Sequence, residues 1–150
     1  MKKFLCVSLC IIFLILTGCA AKTEISADDF ASKLTEKNFT LNEADDSTVT
    51  ATNGTYTISY IIMDPESAKT LPYALNQILQ TSENNFNVRT LSVKKSGSNY
   101  DCMYFNSGDN FFIYSRVGST VIFCEANKEY RNEILDIFDE LKIPYNLNKI

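Results

Sequence analysis

The side chains able to do chemistry in this chain are cysteine, carboxylate, serine and tyrosine, because the 150-residue sequence contains no histidine. That absence removes the commonest general base and the commonest metal ligand together. The cysteines are Cys6, Cys10, Cys19, Cys102 and Cys124. None has an imidazole to take its proton, which excludes thiol catalysis of the Cys–His kind. Asp28-Asp29, Glu43 and Asp45-Asp46 cluster in the sequence, yet they lack the alternating oxygen-ligand spacing around a central glycine that a calcium loop needs. Helix capping accounts for Asp28, and a solvated loop for the others. No Gly-x-Ser-x-Gly elbow occurs, and the 5 glycines fall where turns are needed rather than in a phosphate cradle. No catalytic residue, no metal and no cofactor is expected.

Composition narrows the partners. Hydrophobic residues make up 45% and charged residues 21%, values that suit one soluble globular domain rather than a disordered chain. The formal net charge is -4, and it is more negative still without the basic start at Lys2 and Lys3. An acidic domain is poorly suited to nucleic acid, which requires clustered Lys and Arg to displace counterions. For the same reason it is poorly suited to electrostatic adhesion to anionic lipid.

The amino terminus supplies a different route to a membrane. Met1-Lys2-Lys3 precedes an apolar run from Phe4 to Leu16, shorter than the roughly 20 residues of a bilayer-spanning helix and typical of a secretory signal. Leu16-Thr17-Gly18-Cys19 then resembles the lipobox of bacterial lipoproteins. The resemblance covers residues 1–19 and implies a diacylglyceryl group on the Cys19 sulfur, with cleavage between Gly18 and Cys19. It also implies a location on the extracytoplasmic face of the cell membrane, since two acyl chains give a stable anchor at ~0.8 kcal/mol per buried CH2. Ala20 to Ala27 would form the tether, reaching at most ~28 Å at ~3.5 Å per residue.

The following elements must position whatever the domain uses. Ser26 reads as an N-cap ahead of Asp28-Asp29, Phe30, Ala31 and Leu34 share a face, and Asn38 occupies the left-handed stop with Phe39 closing over Leu34. Asn53-Gly54 signals a two-residue type I′ hairpin turn that sets Val49 opposite Ile58 and Ala51 opposite Tyr56. Asp64-Pro65 opens a helix with an apolar stripe of Ala68, Leu71, Leu75, Ile78 and Leu79, which Pro72 should kink or divide. Val88–Lys95, Tyr100–Phe105, Phe111–Val117 and Val121–Ala126 read as an antiparallel meander with short turns. A last helix runs from about Lys128, capped by Asn127, to Lys142 before Pro144. The order α-ββ-α-ββββ-α predicts an α+β fold, an antiparallel sheet of about six strands with helices packed mainly on one face. In element order alone it resembles the β-α-ββββ-α arrangement of TATA-binding-protein-like folds, a likeness that licenses no function.

Two groups of residues follow from that meander. Cys102 and Cys124 fall on strands separated by a third, roughly 9–10 Å apart, which exceeds the ~7 Å Cα limit for a disulfide. Two buried thiols are therefore expected. If Ser107-Gly108-Asp109 is a three-residue turn, Tyr104 pairs with Phe112, and Tyr114 and Phe123 align beside them. Tyr104, Phe112, Tyr114 and Phe123 would then form an aromatic patch on the sheet face away from the helices. Such a patch is either covered by the amino-terminal segments or offered to a partner.

The expected organisation is a signal peptide over residues 1–18, a lipidated start and short tether over 19–27, one α+β domain over 28–145 and a tail over 146–150. The expected function is a membrane-anchored, non-enzymatic binding or accessory domain whose partner is an envelope protein or cell-wall material. The alternatives are a cell-wall-acting hydrolase or inhibitor using two carboxylates ~5–10 Å apart, and a small solute-binding lipoprotein.

Overall fold

The computed structural model describes residues 21–45, 47–86 and 93–145. The expected signal peptide, the lipobox with Cys19, the tail and the start of the Val88–Lys95 strand lie outside the described residues, as do the side chains of Ile78 and Leu79.

Helix α1 (Ala27–Glu36) forms for the local reasons written into its ends. The Ser26 hydroxyl accepts a hydrogen bond from the Asp29 N–H at 3.1 Å, satisfying a donor that the first turn leaves open. At the other end Asn38 has a φ of 64°. There Phe39 N–H bonds to Leu34 C=O and Asn38 N–H to Thr35 C=O, both at 3.0 Å. This is the Schellman stop, and Phe39 and Leu34 meet in the core as it requires.

The described chain is an α+β fold built on one antiparallel sheet. Its strands are β1 (Thr40–Asp45), β2 (Thr48–Thr52), β3 (Thr57–Ile62), β4 (Val93–Ser96), β5 (Tyr100–Ser107), β6 (Asn110–Val117) and β7 (Thr120–Asn127). They lie in the order β1-β2-β3-β7-β6-β5-β4. The two expected groups of strands therefore join through β3 and β7 into one sheet. One strand was not expected: β1 adds a seventh at the edge, between α1 and the hairpin.

Turn length decides which face each side chain takes, because the side-chain period of a strand is two. Between β2 and β3 the loop runs from Asn53 to Tyr56, with Thr52 opposite Thr57. Asn53 Oδ1 closes it by accepting the Thr55 and Tyr56 N–H groups, both at 3.0 Å, in place of the expected two-residue turn. Ala51 consequently faces Ile58 rather than Tyr56, and Val49 faces Tyr60. That slip of two leaves every side chain on its expected face. Between β5 and β6 the slip is one. Ser107 pairs with Asn110 across a two-residue turn, with Gly108 (φ 60°) at the first central position, where a type II′ turn takes glycine. Every side chain of β5 is thereby turned to the opposite face from the one expected.

On one face Phe30 and Leu34 of α1, and Ile134, Leu135, Ile137 and Phe138 of α3 (Arg131–Glu140), pack on Val49, Ala51, Ile58, Tyr60, Phe111, Ile113, Ile122 and Cys124. Full burial of side chains of this size contributes roughly 1.5–3 kcal/mol each. A single 3-10 turn, Lys128–Tyr130, leads into α3, with Asn127 accepting the Glu129 N–H at 3.1 Å. Helix α2 (Pro65–Phe86) lies on the other face, where Ala68 is buried with Met103, Tyr114 and Val121 and is flanked by Leu71 and Leu75. Pro72 neither ends nor divides this helix.

Candidate partner surface

Strand register arranges the face beneath α2 in rows. One row runs Thr40, Thr52, Thr57, Glu125, Phe112, Phe105 across β1, β2, β3, β7, β6 and β5. The next runs Asn42, Thr50, Ser59, Phe123, Tyr114, Met103 over the same strands. Helix α2 sits over the Met103–Tyr114–Val121 part. The β1–β3 part carries threonine, serine and asparagine instead, the polar composition of a sheet face that meets water. Two of these hydroxyls are tied locally: Thr50 Oγ1 donates to Asn42 C=O and Thr52 Oγ1 to Tyr56 C=O, both at 3.1 Å.

The four residues expected to form one aromatic patch are distributed differently. Phe112 and Phe123 are half-buried on this face, at the border between the polar rows and the region under α2. Tyr114 shares the face but is only 2% exposed, because α2 lies on it. Burial raises its phenol above the ordinary range, with Asp101 adding to the rise and Arg116 opposing it. Tyr104 is on the opposite face. It pairs with Ile113 rather than Phe112, and the Arg131 guanidinium of α3 lies 5.7 Å from its ring centre, a cation–π arrangement. The one-residue difference in the β5–β6 turn is the cause. The same difference brings in Phe105, which stacks on Phe112 with ring centroids 4.5 Å apart and planes inclined by 7°. Of the described residues, those of α2 cover the Tyr114 part of this face.

Arg116 and Asp101 close this face at the end carrying the β6–β7 turn. Arg116 Nε donates to Asp101 Oδ2 at 2.9 Å and Nη1 to Gly118 C=O at 2.9 Å, and the arginine is 6% exposed. The pair was not foreseen as a unit, since nothing local links residues on neighbouring strands. It fastens the turn between β6 and β7.

Carboxylates gather elsewhere, in a cleft of about 420 Å³ lined by Glu24, Asp29, Lys33, Glu140 and Lys142 among others. Each acid there has a structural partner. Glu24 accepts from Ser119 N–H at 3.0 Å, Asp29 from the Ser26 hydroxyl at 2.8 Å, and Glu140 pairs with Lys37 at 2.8 Å. A smaller apolar cavity between Ile25, Ile122, Leu141 and Ile143 has about 10 Å³, room for about one water rather than a solute. Among the described residues no group of three or more Cys, Asp or Glu converges as metal ligands.

Cys102 and Cys124 are buried thiols, on β5 and β7 at either side of β6. Burial, with a smaller contribution from Glu125, pushes the Cys124 thiol up to about 12. A thiol so held is protonated and inert at neutral pH. No family model, no curated protein and no solved structure matches the chain.

Proposed function

We propose that this chain is a lipoprotein held at the extracytoplasmic face of the cell membrane by lipid on Cys19, and that it works there as a non-enzymatic binding or accessory domain. The address rests on Leu16-Thr17-Gly18-Cys19 behind a short apolar run. The binding role rests on one observation, the open β1–β3 face whose threonine and serine rows end against half-buried Phe112 and Phe123. Phe112 and Phe123 would supply the apolar centre of a reversible interface, and the neighbouring hydroxyl rows its polar, hydrated rim. The partner belongs to the envelope, as a protein or as cell-wall material. The carboxylate cleft does not favour the hydrolytic reading, because its acids are already bound to backbone, hydroxyl and lysine groups.

Two measurements test this. The intact mass of the membrane-extracted protein should correspond to a chain starting at Cys19 plus a diacylglyceryl group, and Cys19→Ser should release the protein from the membrane fraction. Separately, a photo-crosslinking residue at Thr50 or Phe112 should capture a defined envelope component in living cells, while the same residue at Lys33, on the opposite side of the domain, should not. Equal capture from all three positions, or none from Thr50 and Phe112, would remove the binding face.

A further inference from the structure

Residues Lys22 to Ile25, expected to be tether, are part of the folded domain. Asn99, in the β4–β5 turn, grips Lys22 by both backbone groups: its Oδ1 accepts the Lys22 N–H at 2.9 Å and its Nδ2 donates to the Lys22 C=O at 2.7 Å. Two residues on, Glu24 Oε1 accepts the Ser119 N–H of the β6–β7 turn at 3.0 Å. Ile25 packs on the core, and its C=O accepts the Tyr60 hydroxyl at 3.2 Å. The segment also walls the small apolar cavity beside Leu141 and Ile143. These contacts bind the start of the domain to one end of the sheet at three successive points.

From this docking we infer that the domain has a fixed orientation on the bilayer, with the end bearing Asn99 and Ser119 against the lipid headgroups. The inference rests on the lipoprotein reading. Given lipid on Cys19, only Ala20 and Ala21 separate the anchor from docked Lys22, a reach of about 10 Å at ~3.5 Å per residue step. The end in question carries the β4–β5 and β6–β7 turns, and Ile62, paired with Thr120, is a large apolar side chain exposed there at 42%. The opposite end carries the Asn53–Tyr56 loop and the Gly108-Asp109 turn. It stands away by the length of an 8-residue strand, ~27 Å at ~3.4 Å per residue. The acyl chains supply the attraction that an acidic domain cannot, and the docked segment supplies the direction. A partner of the open β1–β3 face would then arrive along the membrane plane rather than from above it.

The test uses the full chain, extracted from membranes, checked by intact mass and reconstituted in vesicles of phosphatidylethanolamine and phosphatidylglycerol. A fluorophore is placed at Ser98→Cys or at Thr55→Cys, and a headgroup-attached quencher is added. Loss of fluorescence at residue 98 with retention at residue 55 is expected. Equal loss at both, or the reverse, in protein carrying the diacylglyceryl mass would overturn the orientation. Protein without that mass would sink the lipoprotein reading and the orientation with it, a failure that the mass alone identifies. In lipidated protein, Glu24→Ala with Asn99→Ala should make the two positions alike. A difference that persisted would show that the docked segment does not set the orientation.

Discussion

Tyr114 donates its hydroxyl to the Ala68 carbonyl at 3.4 Å, and Ala68 is the residue whose helical acceptor Pro72 cannot serve. Proline has no N–H, so the carbonyl four residues before it loses its partner. In α2 a tyrosine from the sheet occupies that place. The contact gives the carbonyl that Pro72 leaves open a partner, and it belongs to a Tyr114 that is a packing residue and not a surface one. Tyr114→Phe should cost about 1–2 kcal/mol by leaving the carbonyl unsatisfied. In a Pro72→Ala background, where residue 72 regains an N–H, the same change should cost much less. Urea denaturation of the four proteins measures the coupling, and strict additivity would refute the contact.

Arg116 and Asp101 should show the asymmetry of a buried ion pair. Removing Asp101 by Asp101→Ala leaves a guanidinium that is 6% exposed without its counter-charge, for which about 3–5 kcal/mol is expected. Replacing both, as Arg116→Met with Asp101→Leu, should recover most of that loss. A double-mutant cycle by chemical denaturation decides it.

Gly118 is constrained twice. Its φ is 56°, and a Cβ there would meet the Glu24 carboxylate. Gly118→Ala should therefore cost more than the roughly 1–2 kcal/mol of a left-handed L-residue, because it also displaces Glu24 from Ser119. In a Glu24→Ala background only the backbone share should remain. If the cost is the same in both backgrounds, Glu24 does not occupy that position in solution.

Cys124 should make stability fall in alkali. Its thiol is raised from 9.0 to about 12, so between those pH values the unfolded chain releases a proton that the native chain keeps. The unfolded state is then favoured progressively as pH rises from 9 towards 12. The buried phenols of Tyr56 and Tyr114 are raised as well and act in the same direction. Comparing wild type with Cys124→Ala isolates the thiol: the variant should lose less of its urea midpoint between pH 9 and pH 11. Parallel slopes would contradict the assignment. Below pH 9 the native thiol should resist alkylation unless denaturant is present.

Both ends of α1 were legible in the sequence because caps are local chemistry. Ser26, Asn38 and Phe39 act on groups within five residues of themselves. The antiparallel meander and the placing of Cys102 and Cys124 either side of β6 follow from short turns, which hold neighbouring strands together whatever their detail. The face of the β2–β3 residues survived a wrong turn length because the slip was even.

What only the tertiary structure decided turns on parity and distance. One residue fewer in the Ser107–Asn110 turn sent Tyr104 under Arg131 and brought Phe105 beside Phe112, and no composition rule separates a two-residue from a three-residue turn at Ser-Gly-Asp. The face that α2 covers, and the grip of Asn99 and Ser119 on Lys22 and Glu24, join residues far apart in the chain. Such contacts exist only once the sheet has assembled. The motif Leu16-Thr17-Gly18-Cys19 was therefore readable from four adjacent residues, while the docking of Lys22 and Glu24 on the sheet was decided by turns that carry Asn99 and Ser119, far along the chain.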